Sequence, residues 1–128
     1  MIENLDEPSI VAEKEPKPKV KNDPRILKAR GGDPNDVDEN RRPTDPVGLS
    51  RSILHVLKEH EYVRVLSVGP TALASVMSAF RLASREIESL TNGSVLICRQ
   101  SEYGAEIGGK KAKGVSTRIF AIDIKYAL

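Results

Sequence analysis

The sequence predicts a mixed α/β domain, a two-layer sandwich whose elements run strand, helix, strand, helix, strand, strand. Three observations carry that reading. Two segments, Leu49–Leu57 and Leu73–Ile87, repeat apolar residues at helical spacing. Each follows a short aliphatic or β-branched run, the layout of strand–helix–strand crossovers with parallel pairing and both helices on one side of a small sheet. The chain then closes with two apolar runs flanking Glu106-Ile107-Gly108-Gly109-Lys110-Lys111-Ala112-Lys113-Gly114, which reads as an antiparallel hairpin around a lysine-bearing loop.

Taken in order, residues 1–24 read as a disordered charged tail. Glu13-Lys14-Glu15-Pro16-Lys17-Pro18-Lys19 has too little apolar surface to offset the entropy of ordering it. Its lysines either attract a polyanion or are plain solvated charges. Residues 25–128 form one domain. Arg25-Ile26-Leu27-Lys28-Ala29 is a short first strand ended by Gly31-Gly32, and about 31–45 is a long loop without periodicity, closed by Arg41-Arg42-Pro43.

Asp45-Pro46 gives an N-cap followed by proline at the first helical position. Leu49, Ile53, Val56 and Leu57 form the apolar stripe of that helix, which ends near His60. Tyr62–Val68 has the composition of a strand, and Gly69-Pro70 turns it into a second helix. There Leu73, Val76, Met77, Phe80, Ala83 or Ser84, and Ile87 are expected to face the core. Ala72, Ser75 and Ala79 form a face of small residues that suits close approach of the sheet or of a second copy. After the turn Thr91-Asn92-Gly93, the nearly all-apolar Ser94–Gln100 reads as a central strand. The last strand, Val115–Lys125, alternates Phe120, Ile122 and Ile124 with Thr117, Ile119, Ala121 and Asp123.

The 128 residues carry a net charge of +2 that is unevenly spread. Residues 1–45 hold 9 Lys/Arg against 11 Asp/Glu, a net of −2, and residues 46–128 hold 11 against 7, a net of +4. A basic domain permits a polyanionic partner without requiring one. The single cysteine, Cys98, excludes an internal disulfide and lies in an apolar run, where burial is the expected role and a reactive thiol the alternative. The first residues lack an apolar signal core and no run is long enough to span a bilayer, so a cytoplasmic protein without membrane contact is expected.

Enzyme chemistry lacks its parts. The serines sit in helical and strand patterns without a nucleophile elbow, and Glu59, Glu61, Glu86 and Glu88 read as surface charges near helix ends. His55 and His60 are five residues apart and do not share a helix face as a metal pair would. Neither a catalytic site, nor a metal, nor a cofactor is expected. The strand-to-helix turn Ser67–Ala72 could receive an anion at its free N–H groups, though joining a strand to a helix requires the same layout.

The candidate binding residues are basic. Lys110, Lys111 and Lys113 of the hairpin, Arg99 and Arg118 with Lys125 on the flanking strands, and Arg41 with Arg42 before the first helix would track phosphates if they share one side. Aromatic residues are scarce, and Tyr103 at the hairpin base is the one candidate for base stacking.

The run from Pro46 to Tyr126, about two-thirds of the chain, resembles the stage V sporulation protein S family and, more distantly, the Alba chromatin proteins. The resemblance is carried by Leu49–Glu59, by Val65-Leu66-Ser67-Val68-Gly69-Pro70-Thr71-Ala72-Leu73, by the helix around Met77–Arg85, by Ser94–Cys98 and by Gly114-Val115-Ser116-Thr117-Arg118-Ile119. It implies the β-α-β-α-β-β Alba-like order, a homodimer or higher homo-oligomer, and, on the Alba side, nucleic-acid binding through the hairpin lysines. Arg41-Arg42-Pro43 is similar to the basic pair before the first helix of Alba proteins. Against the sporulation branch stand the long tail, the 32–45 insertion and the lysine-rich hairpin. The leading expectation is a non-enzymatic protein that grips DNA or RNA. The alternative is a protein-interaction or regulatory module of the sporulation protein S type.

Overall fold

The computed structural model describes residues 23–90 and 93–123. Most of the expected tail lies outside the described residues, as do Thr91, Asn92, Ile124, Lys125 and Tyr126. The elements are β1 (Ile26–Ala29), a 3₁₀ turn (Glu39–Arg41), α1 (Pro46–Glu59), β2 (Val63–Ser67), α2 (Pro70–Leu90), β3 (Ser94–Ile107) and β4 (Lys110–Asp123). The four strands form one mixed sheet in the order β1-β2-β4-β3, with β1 parallel to β2 and β4 antiparallel to both its neighbours.

The core lies between that sheet and the two helices. Ile53, Val63, Val65, Val76 and Ile119 are fully buried, with Leu49, Val56, Ala79, Ala83 and Leu96 around them. Residues from both helices share this cluster with one face of the sheet, so both helices cover the same side. The molecule is a two-layer α/β sandwich.

Asp45 starts α1 as expected: its carboxylate accepts from the Val47 and Gly48 amides at 3.2 and 3.4 Å, and Pro46 occupies the first turn. Removing that cap in Asp45→Ala is expected to lower stability by about 1 kcal/mol, read from the midpoint of urea unfolding. In α2 the face of small residues is the buried one. Ala72, Ser75, Val76, Ala79 and Ala83 are buried, whereas Leu73, Phe80 and Ile87 pack at its flanks and Met77 is exposed. Small side chains let the α2 backbone come close to its neighbours inside one chain, and the larger groups then fit only at the margins.

Two expectations about the sheet are corrected. Ser94–Gln100 is not central: β3 is an edge strand, and β4 occupies the position between β2 and β3. The apolar run of β3 arises because Leu96 and Cys98 face the helices while Val95 and Ile97 lie beside Ile122 and Phe120 on the opposite face. In β4 it is Thr117 and Ile119 that point under the helices, both fully buried. Burial pushes the Cys98 thiol above its usual range.

The second correction concerns Glu106–Gly114, which is not a loop. Strands β3 and β4 pair continuously to Ile107 and Lys110, joined by Gly108 and Gly109 alone. Both glycines have positive φ, 58° and 80°, as a tight two-residue hairpin turn requires.

The 31–45 segment is a loop stitched to the body by its arginines. The Arg30 amide donates to Thr44 Oγ1 at 2.6 Å, and the Thr44 amide donates back to the Arg30 carbonyl at 2.8 Å. Arg30 Nε reaches the Arg42 carbonyl and Arg42 Nε the Asp36 carbonyl, both at 2.7 Å. Gly32, at φ 138°, lies so close to the Arg41 carbonyl that a side chain would overlap it.

Candidate nucleic-acid interface

The β3–β4 ladder outruns the rest of the sheet. Strand β2 stops pairing at Ser67 opposite Val115, so Lys110–Gly114 pair only with Tyr103–Ile107. Five residues at a strand's rise make a two-stranded arm roughly 17 Å long. At its root the Tyr103 ring lies across Gly114, where an added Cβ would sit 2.6 Å from Tyr103 Cζ and 2.9 Å from the Ser67 carbonyl oxygen. Glycine is needed there to seat the aromatic ring. Tyr103 and Ile107 also line a hollow of about 240 Å³ with Lys28, Arg30, Leu66 and Val68, so the arm leans over the ends of β1 and β2.

Lys110, Lys111 and Lys113 are all exposed on this arm. Strand alternation divides them. Lys110 shares a face with Ser116 and Arg118, whereas Lys111 and Lys113 point to the other, where Lys111 stands opposite Glu106. A ribbon with ammonium groups on both sides presents charge to both walls of a groove.

The helix-free face of the sheet carries the second basic group. In the ladder register Arg64, Arg118 and Arg99 are direct partners, so three guanidinium-bearing side chains cross three adjacent strands in one row. Like charges placed opposite one another destabilise a sheet, and among the described residues none of the three forms an ion pair. They line a depression of about 240 Å³ together with Ser101 and Ser116. Arg64 Nε is buried without a hydrogen-bond partner. An unsatisfied buried donor costs on the order of 1–3 kcal/mol.

Arg118 is held by Tyr62, whose ring centroid lies 4.6 Å from its guanidinium carbon, and Arg25 lies 5.2 Å from the same ring. Arg25 is anchored in turn by a 2.9 Å ion pair to Asp23. The side-chain and backbone hydrogen bonds from Arg25 hold the Asp23 carboxyl down at about 2.

Of the residues singled out from sequence, Arg99 and Arg118 come together in the row, and Lys110 shares their face. Lys111 and Lys113 lie on the opposite side of the arm, so the expected single stripe is divided. Arg41 is exposed in the 3₁₀ turn, while Arg42 is half-buried and spends its Nε on the loop. Arg64, Tyr62, Lys28 and Arg30 were not singled out. The only sequence signal for Arg64 is its place on the outward half of an alternating strand; its alignment with Arg118 needs the register. Beside the turn at Gly69, the chain at Gly31 runs along the Ala72 amide, where an added Cβ would lie 3.4 Å from that nitrogen.

Among the described residues no helix is long and apolar enough to cross a membrane, and no group of three His, Cys, Asp or Glu side chains converges to hold a metal. No family model matches this chain, and no curated protein matches it either.

Proposed function

We propose that the protein is a non-enzymatic nucleic-acid-binding protein of Alba-like architecture, acting in the cytoplasm as a homodimer or higher homo-oligomer. The observation that carries this reading is the two-stranded arm with Lys110, Lys111 and Lys113 exposed along it. A β-ribbon fits the major groove of duplex DNA, which is about 12 Å wide, and lysines along it reach phosphates on both walls. Arg41 of the 3₁₀ turn and Arg99 and Arg118 of the sheet extend the phosphate contacts beyond the arm. Recognition of backbone and shape, rather than of base sequence, suits a surface built from lysine and arginine.

The test is a gel-shift or anisotropy titration with random-sequence duplex DNA and with RNA across a salt series. Binding that weakens steeply with salt is the expected result, and failure to bind either polymer at low salt rejects the reading. In that case the second reading stands, a protein-interaction module of the sporulation protein S type. It is favoured by β3, whose outer edge has no strand partner among the described residues and whose Val95 and Ile97 leave an apolar end beside it.

A further inference from the structure

We infer that the helix-free face of the sheet holds a discrete site for a phosphomonoester attached to an aromatic base, a nucleotide either free or at the end of a strand. This site lies beyond the hairpin grip and needs none of its lysines. Its phosphate half is the depression formed by Arg64, Arg118, Arg99, Ser101 and Ser116. Three aligned guanidinium groups without a carboxylate among the lining residues leave a concentrated positive charge. The two flanking hydroxyls donate or accept as the bound oxygens require. The buried Arg64 Nε has no hydrogen-bond partner, so no protein acceptor offsets the charge of that guanidinium at this atom. A compact group of high charge density with several acceptor oxygens answers all of these at once, and a terminal phosphate carries about −1.5 to −2 charges at neutral pH.

The base half is a neighbouring hollow of about 420 Å³, lined by Glu61, Tyr62, Arg118, Phe120 and Ala121. Arg118 belongs to both hollows and is oriented by its stack on Tyr62. In the strand alternation Phe120 lies one face-step from Arg118, roughly 6.7 Å along β4. That spacing leaves room for one sugar between a phosphate on the arginines and a ring against Phe120. The Glu61 carboxylate at the rim accepts from an exocyclic amine, which favours an amino-bearing base.

The experiment is equilibrium titration of the full chain, by calorimetry or NMR, with adenosine 5′-monophosphate, adenosine and inorganic phosphate. The monophosphate is expected to bind saturably at one per chain, inorganic phosphate more weakly, and the nucleoside not measurably. Arg99→Gln, an exposed substitution that leaves the core intact, should weaken the monophosphate about 10- to 100-fold, the usual worth of a charge-assisted contact. Arg64→Gln should do the same. No saturable binding, or binding that both variants leave unchanged, overturns the site. Equal affinity for phosphate and monophosphate overturns its base half. A 5′-phosphorylated trinucleotide that outcompetes its 5′-hydroxyl counterpart supports strand ends as the source; a preference for the free monophosphate supports the free nucleotide. Alanine at Lys110, Lys111 and Lys113 should leave monophosphate affinity as it is, which separates failure of this site from failure of the groove-binding reading.

Discussion

Ile119→Ala is expected to remove about 2–5 kcal/mol of stability, the usual loss for a large aliphatic side chain truncated in a packed core. Ile119 is fully buried on β4, one of the two strands with a neighbour on each side, and its direct partners are Val63 and Cys98. The cavity left by three lost carbons would be surrounded by hydrogen-bonded backbone on the sheet side, which cannot collapse into it without breaking the ladder. Against a total stability of typically 5–15 kcal/mol the loss is a large fraction. Chemical denaturation monitored by circular dichroism measures it. A change under about 1 kcal/mol, on the scale of an ordinary surface substitution, would contradict the central placement of β4.

Alanine at Lys110, Lys111 and Lys113 together is expected to give the largest functional effect while leaving the fold unchanged. All three side chains are exposed, so no core contact is lost. If each lysine neutralises one phosphate, the logarithmic salt slope should flatten by about 0.9 per contact on duplex DNA and about 0.7 on single strands. Affinity at low salt should fall by far more than affinity at high salt, because the lost term is counterion release. The slope is the better readout, since a general loss of folded protein lowers affinity at every salt concentration without changing it. An unchanged slope would remove the arm from the interface. Restoring Lys110 alone should recover contacts on the Arg118 side of the ribbon, and restoring Lys111 and Lys113 those on the other.

Much of the scaffold was legible in the sequence because its signals are local. Asp45-Pro46 announces α1, Gly69-Pro70 announces α2, and the spacing of Leu49, Ile53 and Val56 names the face of α1 that is buried. What was not legible depends on pairing. Ser94–Cys98 has the composition of a central strand, yet composition cannot distinguish a strand buried between neighbours from an edge strand with apolar groups on both faces. In α2 the expected core stripe is right at Val76 and Ala83, whereas close packing also selects Ala72, Ser75 and Ala79 and leaves Met77 exposed. Lysines and glycines from Glu106 to Gly114 look like loop, although only Gly108 and Gly109 are needed for the turn. The site divides in the same way: Arg99 and Arg118 are conspicuous one at a time, and nothing short of the register reveals that Arg64 joins them.

That row of arginines also has a history in time. The β3–β4 ladder closes around two glycines, so its loop-closure cost is small and hairpins of this kind form within microseconds. The body of the sheet must join residues far apart along the chain; Ser67 donates to the carbonyl of Val115 across a separation of 48 residues. By entropy alone the ribbon is made early, and its docking against β2 comes late. Arg118 and Arg99 belong to the early unit and Arg64 to the late one. The three guanidinium groups therefore meet only when β2 pairs with β4, and their mutual repulsion opposes that step.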